Sequence, residues 1–87
     1  MTMSRILRRP EILMIFGFSS STLDRRRQQG LFTPPVNVCG RIVGWPEQEV
    51  SEIYSAVIRG VSAVEIKLLV HKLIKRRQEV QSEPDLR

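Results

Sequence analysis

Gly17-Phe18-Ser19-Ser20-Ser21-Thr22-Leu23-Asp24-Arg25-Arg26-Arg27-Gln28-Gln29-Gly30 decides the fold. Three serines compete to cap a helix here, and the flanking apolar residues choose between them. With Ser19 as N-cap, Phe18 precedes the cap and Leu23 falls at the fourth helical position, the pair that forms a hydrophobic staple. Neither other serine gives an apolar pair at those positions. The helix then runs over about Ser20 to Gln29 and stops at Gly30. Upstream, Pro10 suits the first turn of a helix, where its missing N–H costs nothing. Ile12, Leu13 and Phe16 follow at helical spacing, and Gly17 ends that helix. Two short helices joined by a turn of about three residues containing glycine are the signature of a helix-turn-helix.

Downstream the character changes. Pro34-Pro35 forbids a helix, and Val36, Val38, Ile42 and Val43 flank Cys39-Gly40, which reads as a short hairpin with its tip near Gly40. Arg41 sits beside that tip, and Trp45 is expected to anchor the hairpin on the core. Pro46 opens a third helix, with Glu47 and Glu49 in its positive first turn and Val50, Ile53, Tyr54 and Val57 as its buried stripe. Gly60 ends it. Ser62-Ala63-Val64-Glu65 is a capping box, so a fourth helix begins there and extends to about Val80. The expected organisation is a mainly α fold with a small β-hairpin, a winged helix-turn-helix over 5–60. A C-terminal helix over 61–80 and a polar, fraying tail over 81–87 follow it.

The chain has 87 residues, room for one small domain. No apolar run approaches the length needed to span a bilayer, and Met1 to Arg9 lacks the apolar core of a signal peptide, so a cytoplasmic, nucleoid-associated location is expected. The net charge is +5, and all of it lies in the first half. Residues 1–45 hold Arg5, Arg8, Arg9, Arg25, Arg26, Arg27 and Arg41 against Glu11 and Asp24, whereas residues 46–87 are balanced. Such a concentration suits a polyanion.

The second helix carries the residue types that address duplex DNA. Ser20, Ser21, Asp24, Arg25 and Gln28 lie on one side of it. Serine reaches phosphates or bases, arginine grips guanine with two bonds, and glutamine pairs with adenine. Arg26 and Arg27 lie nearer Leu23, the core side, with stems over apolar surface and heads free for solvent or phosphate. Asp24 repels phosphate; its open roles are helix-start stabilisation, pairing with Arg27 or Gln28, or reading a cytosine amino group, and the first two are the expected ones. Arg41 is placed to reach the minor groove or the flanking backbone. Catalytic chemistry is not expected. His71, the one histidine, sits in an apolar helix, Cys39 has no companion at metal-ligand spacing, and no phosphate loop is present. No cofactor, metal, small-molecule substrate or membrane partner is expected.

Arg8-Arg9-Pro10-Glu11-Ile12-Leu13, Gly17 to Leu23, and Gly40-Arg41-Ile42-Val43-Gly44-Trp45 with Glu49-Val50 resemble the AlpA-like prophage regulators. These are relatives of phage excisionases with a MerR-like winged helix-turn-helix. The resemblance covers about residues 5–59 and implies a DNA-binding regulator of prophage or genomic-island genes. It puts Ser20, Ser21, Thr22 and Arg25 on the reading helix and Arg41 on the wing. Asp24, Arg26, Arg27, Thr33-Pro34 and Cys39 depart from the family pattern.

Beyond Gly60 the fourth helix is broadly apolar and needs a partner surface. It either folds back on its own domain or pairs with a copy of itself. Self-association is the favoured expectation, with Val64, Leu68, Leu69 and Leu73 as dimer contacts. Three functions remain open: a transcriptional regulator, an excisionase-like protein that bends attachment-site DNA, and a protein-interaction adaptor working through the fourth helix.

Overall fold

The computed structural model describes residues 5–82, with side chains described through Gln78. The elements run β1 (Ile6–Leu7), α1 (Arg9–Phe16), α2 (Ser20–Gln28), β2 (Val36–Cys39), β3 (Ile42–Pro46), α3 (Glu47–Arg59) and α4 (Ala63–Ser82). The three strands form one antiparallel sheet in the order β1-β3-β2. The expected hairpin is therefore a three-stranded wing, because a two-residue strand at the start of the chain joins it. Ile6-Leu7 is too short to announce itself by alternation.

Local capping follows the sequence closely. α1 starts one residue before Pro10, and the Arg8 amide donates to the Glu11 carboxylate at 2.8 Å. Gly17 closes α1 with φ at 74°, a left-handed conformation that glycine adopts without a Cβ clash. Ser19 caps α2, its hydroxyl accepting the Thr22 amide at 3.2 Å. Gly60 closes α3, and the Ser62 hydroxyl accepts the Glu65 amide at the start of α4. α4 continues to Ser82, two residues past the expected end. Residues 83–87 of the expected fraying tail lie outside the described residues.

The core joins Leu7, Ile12, Leu23, Phe32, Trp45, Val50, Ile53 and Ala56 to Ile66, Val70 and Leu73 of α4. The fourth helix thus folds back onto its own domain, and Gly60 marks a bend between two helices sharing one core. Burying each such aliphatic side chain contributes about 1.5–3 kcal/mol, so α4 is integral to a domain this small. Leu73 is only 1% exposed and is spent on its own chain, which removes it from any surface offered to a second copy. Leu69 is partly buried, whereas Val64 and Leu68 remain exposed. Tyr54, expected in the buried stripe of α3, is 40% exposed; Ala56 takes the inward position, and the Tyr54 ring packs edge-on against Phe16.

Two contacts fix the wing to this core. The Trp45 indole is buried, meets Phe32 edge-on and donates to the Thr33 carbonyl at 2.7 Å. Gly44, beside it, lets β1 come close: a Cβ there would sit 2.4 Å from Ile6 Cγ2 and 2.7 Å from the Leu7 carbonyl oxygen. One of those neighbours is backbone and cannot swing aside. We expect Gly44→Ala to destabilise the fold by about 1–3 kcal/mol through overpacking, seen as a lower urea midpoint. An unchanged midpoint would show that β1 yields without cost.

Candidate nucleic-acid interface

α2 divides into a buried face, an outward stripe and two shoulders. Leu23 points inward and is fully buried. Ser21, Arg25 and Gln28 follow at i, i+4 and i+7, so they form one outward stripe, and all three are exposed. Nine residues of α-helix span about 13 Å, close to the roughly 12 Å width of a major groove. The Arg25 guanidinium leans toward the N-terminal end of the helix, with Nη2 3.5 Å from the Thr22 hydroxyl, too long for a strong bond.

The shoulder facing α1 is occupied by a clamp that the sequence pattern does not reveal. Arg9 Nη1 donates to the Ser20 hydroxyl at 2.9 Å, and Arg9 Nη2 donates to Asp24 Oδ1 at 3.0 Å. Arg27 adds a second cation 3.6 Å from the same carboxylate oxygen. Asp24 therefore pairs with Arg27, as expected, and with Arg9 across the helix pair. The hydrogen bond from Arg9 comes first among the causes that hold the Asp24 carboxyl below its usual range; the nearby charges of Arg9 and Arg27 add to it, and partial desolvation opposes it. Ser20, an expected DNA contact, is engaged with Arg9 here. On the other shoulder, Thr22 accepts a bond from the Ser19 hydroxyl at 2.9 Å and belongs to the cap. Arg26 lies over the Phe18 ring, 5.3 Å from its centre, and is half-buried. Its stem covers apolar surface, as expected, and its head is shared with an aromatic face.

The wing presents one more cation. β2 and β3 pair with Val36 opposite Gly44 and Asn37 opposite Val43, and Val38 is the extra residue of a bulge. Gly40 turns the tip with φ at 55°, and the Asn37 side-chain amide donates to its carbonyl at 3.1 Å. Arg41 follows, exposed at the tip. Among the described residues, Arg8, Arg25 and Arg41 have no acidic partner within ion-pair distance, while Arg5, Arg9 and Arg27 do.

The structure thus groups Ser21, Arg25 and Gln28 on one exposed stripe and leaves Arg41 free on the wing. It engages Ser20, Thr22 and Arg26 within the fold. Arg9 is the residue that sequence reasoning missed. Its signal was only its place in a basic run, and its partners lie 11 and 15 residues away. Among the described residues, no helix is long and apolar enough to cross a membrane.

Because folding lowers the Asp24 pKa, its contribution to stability is present above the unfolded value near 3.8 and is lost as pH falls through the folded value. We expect Arg9→Ala to move the Asp24 titration, followed by carboxyl NMR, back toward that ordinary value. An unmoved titration would assign the effect to Arg27 alone.

Over residues 5–56 the chain matches the family described as prophage CP4-57 regulatory protein (AlpA). It is also 36% identical over 59 residues to an uncharacterized protein, ORF88, of Enterobacteria phage P4, a stretch covering 68% of this chain and 67% of the relative. No solved structure matches the chain.

Proposed function

The chain belongs to the AlpA family of prophage regulatory proteins, and from that membership we propose that it regulates prophage or genomic-island genes by binding a short duplex DNA site. The observation that carries this reading is the exposed stripe Ser21-Arg25-Gln28 on a helix of groove length, beside a wing with a free cation at its tip. In this reading α2 enters the major groove. Arg25 grips a guanine edge, Gln28 addresses a base further along, and Ser21 contacts phosphate or base at the positive end of the helix. Arg41 contacts phosphate, anchoring the wing outside the groove that α2 occupies. Ser20 and Thr22 retain capacity to meet phosphate at the edge of the site, and Arg26 supplies a more distant positive charge. The role is non-catalytic, and the protein acts in the cytoplasm on the nucleoid.

Self-association is supported by a narrower surface than the sequence suggested. Val64 and Leu68 are one helical turn apart on α4 and are 66% and 64% exposed. With Leu69 at their edge, they offer a second copy an apolar strip, and a dimer would read two half-sites. Sedimentation of the parent chain and of Leu68→Asp tests this. A dimer dispersed by the substitution is the expected result, and a monomeric parent at micromolar concentration overturns it.

DNA binding is tested with fragments from around the protein's own gene, at two salt concentrations. A fragment retained at the higher salt supports a specific site, and absence of binding at both overturns the reading. Arg25→Ala should weaken binding to that fragment by about 1–3 kcal/mol and relax its preference. Arg41→Ala should weaken binding more evenly across sequences and reduce the slope of log affinity against log salt by about one unit. A footprint on that fragment distinguishes a single promoter-proximal site, the regulator's pattern, from an array beside an attachment site, the pattern of an excisionase.

A further inference from the structure

We infer that Arg77, on α4, is a positioning residue that holds the root of the wing, so that Arg41 at its tip meets the DNA backbone. This inference rests on the reading of Arg41 as a DNA contact. Arg77 makes three bonds of short length. Its Nε donates to Glu49 Oε2 at 2.7 Å, and its Nη2 donates to Glu49 Oε1 at 2.6 Å and to the Pro34 carbonyl at 2.8 Å. Glu49 sits in the first turn of α3, three residues after β3 ends, and is 7% exposed. Pro34 lies two residues before β2 begins. One guanidinium from outside the family-matched segment therefore ties both ends of the hairpin at its root.

The neighbouring bond makes this a grip rather than an isolated pair. The Thr33 carbonyl accepts the Trp45 indole N–H from β3, and the next carbonyl, that of Pro34, accepts from α4. Two consecutive carbonyls of the link between α2 and the wing are held from two sides. The adjacent pair, Arg76 to Glu52 at 3.0 Å, is more exposed and bonds no backbone, so it does not share the role. The forked, planar head of arginine is what allows one side chain to satisfy a carboxylate with two bonds and still reach a carbonyl; lysine offers a single point charge. The wing amplifies what happens at its root. A strand of four residues extends about 13 Å, so a rotation of about 10° at the root moves the tip by about 2 Å, enough to separate Arg41 from a phosphate.

The test is a double-mutant cycle on DNA affinity in the full chain, using a fragment that the parent retains. Arg41→Ala, Arg77→Met and the double variant are compared at two salt concentrations, with thermal melts of each. We expect Arg77→Met to weaken binding several-fold, Arg41→Ala to cost almost nothing further in that background, and the salt slope of the double variant to equal that of Arg77→Met. Arg77→Lys should fall between parent and Arg77→Met. If Arg77→Met does not fold, Arg77→Lys and Glu49→Gln take its place in the same cycle. An Arg41→Ala loss of the same factor in both backgrounds, with only the melting temperature lowered by the Arg77 change, overturns the inference and leaves the DNA-binding reading standing. A parent chain that binds no fragment overturns both.

Discussion

The buried indole of Trp45 is the contact on which the arrangement of this small protein depends. It lies at the end of β3, fills the core beside Phe32 and spends its single N–H on the Thr33 carbonyl. A buried donor left without an acceptor costs about 1–3 kcal/mol, so the link from α2 must run where that carbonyl is. The position of the link in turn sets where β2 starts. Its neighbour Gly44 must then lack a side chain, because β1 closes on that edge of β3. One aromatic residue thus sets the path of the link, the seat of the wing and the room left for the first strand.

What was legible in the sequence was whatever a few neighbouring residues decide among themselves. The Ser19 cap, the glycines at 17 and 60, the Ser62 hydroxyl cap and the turn at Gly40 are each satisfied within about one helical turn, and the structure has all of them. What was not legible involves partners far apart in the chain. β1 is two residues long, and its meaning comes only from Trp45 and Pro46 opposite. An apolar helix face shows that α4 needs a partner without naming it; Ile66, Val70 and Leu73 turn to the chain's own core. The Glu49 carboxylate reads as a favourable first-turn residue and is also the buried counterpart of a guanidinium 28 residues away. Likewise, helical spacing along α2 put Ser20, Ser21, Asp24, Arg25 and Gln28 on one side, but could not show that Arg9 would take Ser20 and Asp24 for the fold.

That division of labour along α2 explains how an acidic residue coexists with the outward stripe proposed to read DNA. Asp24 adjoins Arg25 in sequence, and a free carboxylate there would repel the phosphates of a duplex docked as proposed. Arg9 and Arg27 both approach its Oδ1, and the resulting cluster carries a net positive charge. The same cluster ties α1 to α2 and so holds the angle between the two helices. Two basic residues are thereby committed to Asp24, and the helix pair is held together in exchange.

The surplus charge of the first half can be followed on the same terms. Arg5 faces Glu47 at 3.5 Å with both side chains well exposed, a pairing that contributes little. Arg9 and Arg27 neutralise Asp24, and Arg26 rests on Phe18. Arg8, Arg25 and Arg41 remain with no acidic partner among the described residues, and they stand on three different elements: the cap of α1, the outer stripe of α2 and the tip of the wing. Sequence composition alone counts seven cations and predicts a diffuse positive patch. The fold reduces it to a few fixed points. Spaced, oriented charges select one docking geometry on a duplex, whereas a diffuse patch would accept many. In the proposed reading, the choice of one site therefore rests on the contacts that fix those points as much as on the arginines themselves.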